Sequence, residues 1–142
     1  MIALACDHGG YELKEKVKAY LEEKKLEYKD FGCYSKESVD YPEFGKKAAL
    51  AVANKECEKG IVICTTGIGI SIAANKVKGV RAALCSDCFS ARATREHNDA
   101  NVLALGAGVT GEKLALEIVD IFLNTPFSNE ERHQRRIDQI ED

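Results

Sequence analysis

Five short apolar runs alternate with segments of helical periodicity, and this alternation constrains the fold more than any other feature of the chain. The runs have the length of strands, and their near-continuous apolar character is typical of strands buried on both faces. Between them, apolar residues recur at helical spacing, as in Leu13, Val17 and Leu21. The strands are expected at residues 2 to 6, 27 to 31, 60 to 64, 80 to 84 and 102 to 106. The sequence therefore predicts an α/β fold, a doubly wound five-stranded parallel sheet with helices on both faces.

The rest of the chain indicates a single domain, residues 1 to 142, that ends in a charged tail helix. Pro126 ends a helix that begins near Gly111, and "SNEERHQRRIDQIED" then predicts a tail helix over residues 128 to 142. This segment offers little apolar surface to bury, mainly Ile137 and Ile140. We therefore expect the tail helix to pack on a partner subunit.

Charge and cysteine content argue against several classes of protein. The formal net charge is -3, with lysines and glutamates interspersed, which argues against a nucleic-acid binder or a membrane-surface protein. The amino terminus has no basic leader and only a short apolar run, so we expect a cytoplasmic protein without a membrane span. In that compartment the six cysteines are expected to be reduced thiols.

A glycine turn follows the third expected strand, at the sheet edge where parallel α/β folds bind ligands. The turn Gly67-Ile68-Gly69 lets the backbone approach a ligand, and the helix after it directs free N–H groups to the same point. An oxyanion or a phosphate suits such a turn, although a plain tight turn is an equal alternative. The sequence matches neither nucleotide fingerprint, because no lysine follows the second glycine and Ile72 replaces a third one.

Three side chains at this edge have both a structural and a chemical interpretation. Cys64 ends the strand, so it is either a small buried apolar residue or a general base, since a helix amino terminus favours the thiolate. Asp7 and His8 follow the first strand. They serve as a helix cap and its neighbour, or they recognise a hydroxylated ligand, and the two roles are compatible.

Polar clusters later in the chain are equally ambiguous. His97 and Asn98 lie at a helix end, where both residue types commonly cap helices. Arg132 and Arg136 share one face of the tail helix, which is either a solvated surface or a phosphate clamp. The pair Cys85-x-x-Cys88 has redox or metal spacing but lacks a second pair of ligands, so packing thiols are favoured over a thiol oxidoreductase.

Five ordered motifs together carry a family resemblance. The stretches "CDHGG", "DYPEFG", "TTGIGISIAANKVKGVRAALC", "REHNDANVLALG" and "ERHQRR" resemble the type B ribose-5-phosphate isomerases, in the family that also holds galactose-6-phosphate isomerase subunits. The resemblance implies a Rossmann-like homodimer, with a dimer of dimers as a further option. It also implies interconversion of ribose 5-phosphate and ribulose 5-phosphate through a cis-enediolate, without a metal or another cofactor.

The resemblance also implies roles for individual residues. Cys64 matches the catalytic base, and His97, helped by Asp7, matches the group that opens the furanose ring. The hydroxyl and anion hole that hold the intermediate match Thr66 and the backbone from Gly67 to Ser71. The substrate and phosphate contacts comprise Asp7, His8, Thr65, Thr66, Gly67, Ile68, Gly69, Ile70, Ser71, Asn98, Arg132 and Arg136. One departure is Gly108, which stands where many relatives carry an arginine, so the preference between five- and six-carbon sugar phosphates stays open.

Topology adds a prediction about the site. His97 ends a helix that runs back to the amino edge of the sheet, whereas Cys64 lies at the carboxyl edge, roughly 15 Å away for a five-residue strand. We therefore expect His97 and Asn98 to reach the Cys64 pocket of a second subunit. A non-catalytic phosphate- or nucleotide-binding module is the alternative from another functional class.

Overall fold

A computed structural model describes all 142 residues, and it confirms the predicted five-stranded parallel sheet. The strands are β1 (Ile2–Cys6), β2 (Tyr28–Asp30), β3 (Lys59–Cys64), β4 (Ala82–Leu84) and β5 (Val102–Gly106). The helices are α1 (Tyr11–Glu23), α2 (Tyr41–Ala53), α3 (Ile68–Asn75), α4 (Cys88–Asn98), α5 (Glu112–Asn124) and α6 (Glu131–Glu141), with a 3-10 turn over His8–Gly10. None of these helices is long and apolar enough to cross a membrane.

The order of the strands explains why two of them are shorter than expected. The sheet runs β2-β1-β3-β5-β4, so β2 and β4 are edge strands that pair on one side only, and each has 3 residues. The three central strands are fully buried or nearly so. Their registers pair Cys6 with Ile63 and Cys64 with Gly106, so the carboxyl ends of β1, β3 and β5 meet at one level. They form the edge of the sheet at which the sequence predicts a ligand-binding site.

The two faces of the sheet differ in side-chain size. Large side chains such as Leu4, Ile63 and Leu103 pack in one core with residues of α1, α5 and α4. Alanines such as Ala3 and Ala5 line the opposite face, under α2 and α3. Because successive residues of a strand point to opposite faces, this division follows from the alternation within each strand. The predicted burial by helices on both faces is confirmed.

The tail helix begins three residues later than predicted and covers part of its own chain. Helix α6 starts at Glu131, after an extended Glu130, and packs against α4. Ile137 is buried there, so it contributes more to the core of its own subunit than the sequence suggested. Ile140 lies exposed, and packing of the remaining surface on a partner subunit stays a prediction.

Candidate active site

The carboxyl ends of the three central strands form one continuous backbone framework. Asp7 N donates to Ile63 O at 3.2 Å, Ala107 N donates to Cys64 O at 2.9 Å and Gly108 N donates to Thr65 O at 2.8 Å. These bonds extend the strand pairing one or two residues beyond the sheet. As a result, the segments after β1, β3 and β5 are held side by side.

The thiol of Cys64 lies at the amino terminus of α3. Its side chain is buried, and Gly67 N donates to its sulfur at 3.1 Å. Gly67 has φ of 78°, and a Cβ there would lie 2.8 Å from the Leu105 carbonyl carbon, so both the conformation and the space require glycine. An N–H group directed at sulfur, at the positive end of a helix, stabilises a thiolate. The geometry suits Cys64 for proton transfer.

Not all amides of the predicted anion hole are free. Gly67 N donates to Cys64 Sγ, Ile68 N donates to Thr66 Oγ1 at 3.1 Å, and Ser71 N donates to Gly67 O at 3.2 Å. Gly69 and Ile70, in the first turn of α3, donate no hydrogen bond within the chain. Of the amides predicted for an anion hole, those of Gly69 and Ile70 are therefore available to a ligand without the loss of a hydrogen bond within the chain.

Tyr41 lies against this turn, and sequence reasoning did not select it. A Cβ on Gly69 would lie 2.5 Å from Tyr41 Cζ and 2.8 Å from its hydroxyl oxygen. The glycine thus lets the aromatic ring approach the backbone, and the Tyr41 hydroxyl lies beside Gly69. In the sequence, the stretch "DYP" could have indicated it, because this stretch places a partly exposed tyrosine at the start of α2.

Asp7 and His8 have clear partners in the structure. Asp7 Oδ1 accepts from Gly9 N at 2.9 Å and Gly10 N at 3.1 Å, so the capping role is present. His8 is exposed, and its Nδ1 accepts from Val39 N at 3.2 Å. A neutral His8 therefore carries its proton on Nε2, where it can donate to a ligand oxygen.

A cleft of about 340 Å³ opens beside Thr65, the residue that follows Cys64. Thr65 lines it together with Gly9, Lys16 and Gly108. A Cβ on Gly108 would lie 3.0 Å from Thr65 Cγ2, and no side chain extends into the cleft from this position. The cleft therefore has room for part of a ligand next to the Cys64 turn.

The structure places His97 and Asn98 at the opposite edge of the sheet. Asn98 O accepts from Arg81 Nε at 2.9 Å, and Gly60 N donates to Asn101 O at 2.9 Å. Arg81 precedes β4 and Gly60 lies near the start of β3, so this cluster belongs to the amino edge. Strand β3 spans about 16 Å at about 3.3 Å per residue, which separates His97 from Cys64 within one chain.

The tail helix brings further polar groups to His97. The rings of His97 and His133 lie with centroids 4.5 Å apart. Arg132 is exposed and contacts Glu130 at 2.9 Å, and Arg136 is exposed without an ion pair. His97, Asn98 and both predicted arginines are thus gathered around the contact between α4 and α6, separate from the Cys64 turn.

The second cysteine pair has the features of packing thiols. Cys85 is buried, and this burial raises its pKa to about 11, which leaves little thiolate at neutral pH. All six cysteines are free thiols. No group of three or more His, Cys, Asp or Glu side chains is arranged to hold a metal ion. The arrangement does not favour the thiol oxidoreductase alternative.

Comparison with known proteins gives a consistent result over almost the whole chain. The family model described as Ribose/Galactose Isomerase matches residues 2–140. The chain is 49% identical over 139 residues to ribose-5-phosphate isomerase B of Escherichia coli, which covers 98% of this chain and 93% of that protein. A solved structure of Clostridium thermocellum ribose-5-phosphate isomerase B has a TM-score of 0.97 at 54% identity, covering 99% of this chain and 94% of that chain.

A second activity also occurs among the relatives. The chain is 41% identical over 142 residues to a galactose-6-phosphate isomerase subunit of Clostridium acetobutylicum, covering 100% of this chain and 82% of that protein. The matched spans extend over both the Cys64 turn and the tail helix.

Proposed function

Because the chain belongs to the ribose/galactose isomerase family, we propose that it interconverts D-ribose 5-phosphate and D-ribulose 5-phosphate, with Cys64 as general base. The observation that carries this proposal is the buried Cys64 sulfur beside Gly67 N–H, one turn from two unpaired amides. A proton acceptor and donors for a negative oxygen therefore lie at the same helix end. Aldose–ketose isomerisation through an enediolate uses both groups.

The reaction follows from the chemistry of a carbon next to a carbonyl. The Cys64 thiolate removes the proton from C2 of the open-chain aldose, which leaves an enediolate with its charge on oxygen. The Gly69 and Ile70 amides and the Thr66 hydroxyl stabilise that oxygen, at about 3 kcal/mol for a well-placed donor. The thiol then returns the proton to C1, and the hydroxyl proton of C2 moves to the oxygen on C1. The product is the ketose, and the thiolate is regenerated.

The positions of the remaining residues support a site shared by two subunits. His97, Asn98, Arg132 and Arg136 lie at the edge away from Cys64, so a second copy of the chain is needed to bring them to the sugar. Exposed apolar side chains flank the Cys64 turn, namely Ile68, Ile72 and Leu84. Such side chains suit contact with another subunit. In this homodimer, His97 opens the furanose ring and the arginines hold the phosphate.

Mixing two variants that are each expected to be nearly inactive on ribose 5-phosphate tests the shared site. Cys64→Ala subunits and His97→Asn subunits, exchanged at random in equal amounts, are expected to recover about a quarter of wild-type activity on ribose 5-phosphate, because one site in four then has both residues. The measurement is the rate of ribose 5-phosphate isomerisation after subunit exchange, with exchange verified by mass labelling. No recovery after complete exchange would place both residues in the site of one chain.

A second candidate is isomerisation of a six-carbon sugar phosphate. Two observations support this candidate: the similarity to a galactose-6-phosphate isomerase subunit and the open cleft beside Gly108. Initial rates with the 5-phosphate of ribose and the 6-phosphates of allose and galactose separate the candidates. A higher kcat/KM for a six-carbon substrate would replace ribose 5-phosphate as the substrate, and no turnover of any of them would favour the binding module.

A further inference from the structure

His133 is a buried polar side chain that the proposed reaction does not use. It lies on α6 with 6% of its surface exposed, although its neighbours in sequence are exposed arginine and glutamine. Its ring faces His97 at a centroid distance of 4.5 Å and an interplanar angle of 38°. His97 itself is exposed, so His133 provides the aromatic surface against which that side chain rests.

His133 contacts Ser128 and Glu130, and Ser128 is in turn hydrogen-bonded to the backbone next to His97. Its Nδ1 lies 2.9 Å from Ser128 Oγ and 3.3 Å from Glu130 Oε2. Ser128 N donates to Glu96 O at 3.2 Å, and Glu96 directly precedes His97. A continuous series of contacts therefore connects the backbone beside His97 to Ser128, Ser128 to His133, and His133 to the His97 ring.

We propose that His133 is a positioning residue that holds the His97 imidazole in the orientation needed to open the furanose ring. The proposal rests on the ring-opening role of His97 in the proposed function. An exposed imidazole has several staggered rotamers, and a fixed neighbouring ring reduces that freedom. Misplacing a catalytic group by about 1 Å can cost about 100-fold in rate, so such support has a measurable effect.

The electrostatics of His133 suit this role. Burial lowers the pKa of His133, and the nearby Arg132, His97 and Arg136 lower it further, while Glu130 acts in the opposite sense. The uncharged form of His133 is therefore favoured. A neutral ring does not repel a positive charge that develops on His97 during proton transfer.

The two directions of the reaction distinguish positioning from simple structural support. Ribose 5-phosphate is a furanose that must open, whereas ribulose 5-phosphate is open-chain because its C5 oxygen carries the phosphate. At saturating substrate, we expect His133→Leu to lower kcat for ribose 5-phosphate by about tenfold and kcat for ribulose 5-phosphate by less than about twofold. Ser128→Ala, which releases the ring without removing it, is expected to give a smaller loss with the same asymmetry.

Gln134→Leu is the matched control, since Gln134 is the next residue on α6 and is exposed, with its side chain bonded only to Asp138. It is expected to match wild type in both directions. Equal losses in both directions for His133→Leu and Ser128→Ala would show a structural role and overturn the proposal, as would wild-type rates for both. If His133→Leu fails to fold, Ser128→Ala decides alone. A wild-type enzyme inactive on both pentose phosphates would instead overturn the proposed function.

Discussion

Replacing Cys64 with alanine is expected to lower kcat for ribose 5-phosphate by about 10³-fold, within the range of about 10² to 10⁴ that general bases contribute. No other side chain at the amino terminus of α3 can accept the proton, because Thr65, Thr66 and Ser71 carry only hydroxyls. The KM is expected to change little, since the amides and the proposed phosphate contacts remain. Steady-state rates in both directions measure this effect.

Cys57→Ala provides the control for loss of a buried thiol. Cys57 is 1% exposed and Cys64 is 5% exposed, so the two substitutions remove similar packing. Cys57 precedes β3, whereas Cys64 ends it, so Cys57 is remote from the glycine turn. We expect Cys57→Ala to keep near wild-type turnover. Comparable activity in both variants would exclude Cys64 as the base.

Replacing His97 with asparagine is expected to separate the two directions of the reaction. Turnover of ribose 5-phosphate should fall by about 100-fold, because its ring then opens without a positioned acid or base. Turnover of ribulose 5-phosphate should fall by less than about threefold, because this open-chain substrate meets Cys64 directly. The aldehyde released in that direction closes to the furanose in solution.

Initial rates in each direction, at saturating substrate, measure this asymmetry. His97→Asn retains a polar side chain at an exposed position, so the fold is expected to survive. A uniform loss in both directions would assign His97 to binding or to the isomerisation step rather than to ring opening.

The fold was predictable because its determinants are local. Strand-length apolar runs and helical periodicity fixed the type and order of the elements, and the parallel sheet follows from their alternation. The lengths of the edge strands were overestimated, since an apolar run such as residues 80 to 84 does not reveal how many of its residues pair with a neighbouring strand. The start of α6 was misplaced, because Ser128 and Glu130 carry polar side chains that suit either a helix or the extended segment before one.

The site was only partly predictable from the sequence. Strand ends and the glycine turn indicated Cys64 and its neighbours, and the family resemblance supplied the roles proposed for them. Tyr41 was missed because its contact with Gly69 joins two helices that are distant in sequence. His133 was missed because it lies in a charged run, where periodicity alone does not show that one histidine is buried against α4. Which amides at the start of α3 lack a partner depends on the backbone hydrogen bonds around them, and no residue type specifies those bonds.

The central claim is that the Cys64 sulfur moves the proton between neighbouring carbons of the sugar. The most direct measurement is solvent exchange at C2 of ribose 5-phosphate, followed by proton NMR in deuterated water. Wild-type enzyme is expected to incorporate one deuterium at C2, and Cys64→Ala is expected to incorporate none over the same time. Exchange by Cys64→Ala at the wild-type rate would contradict the claim and assign the proton transfer to another group.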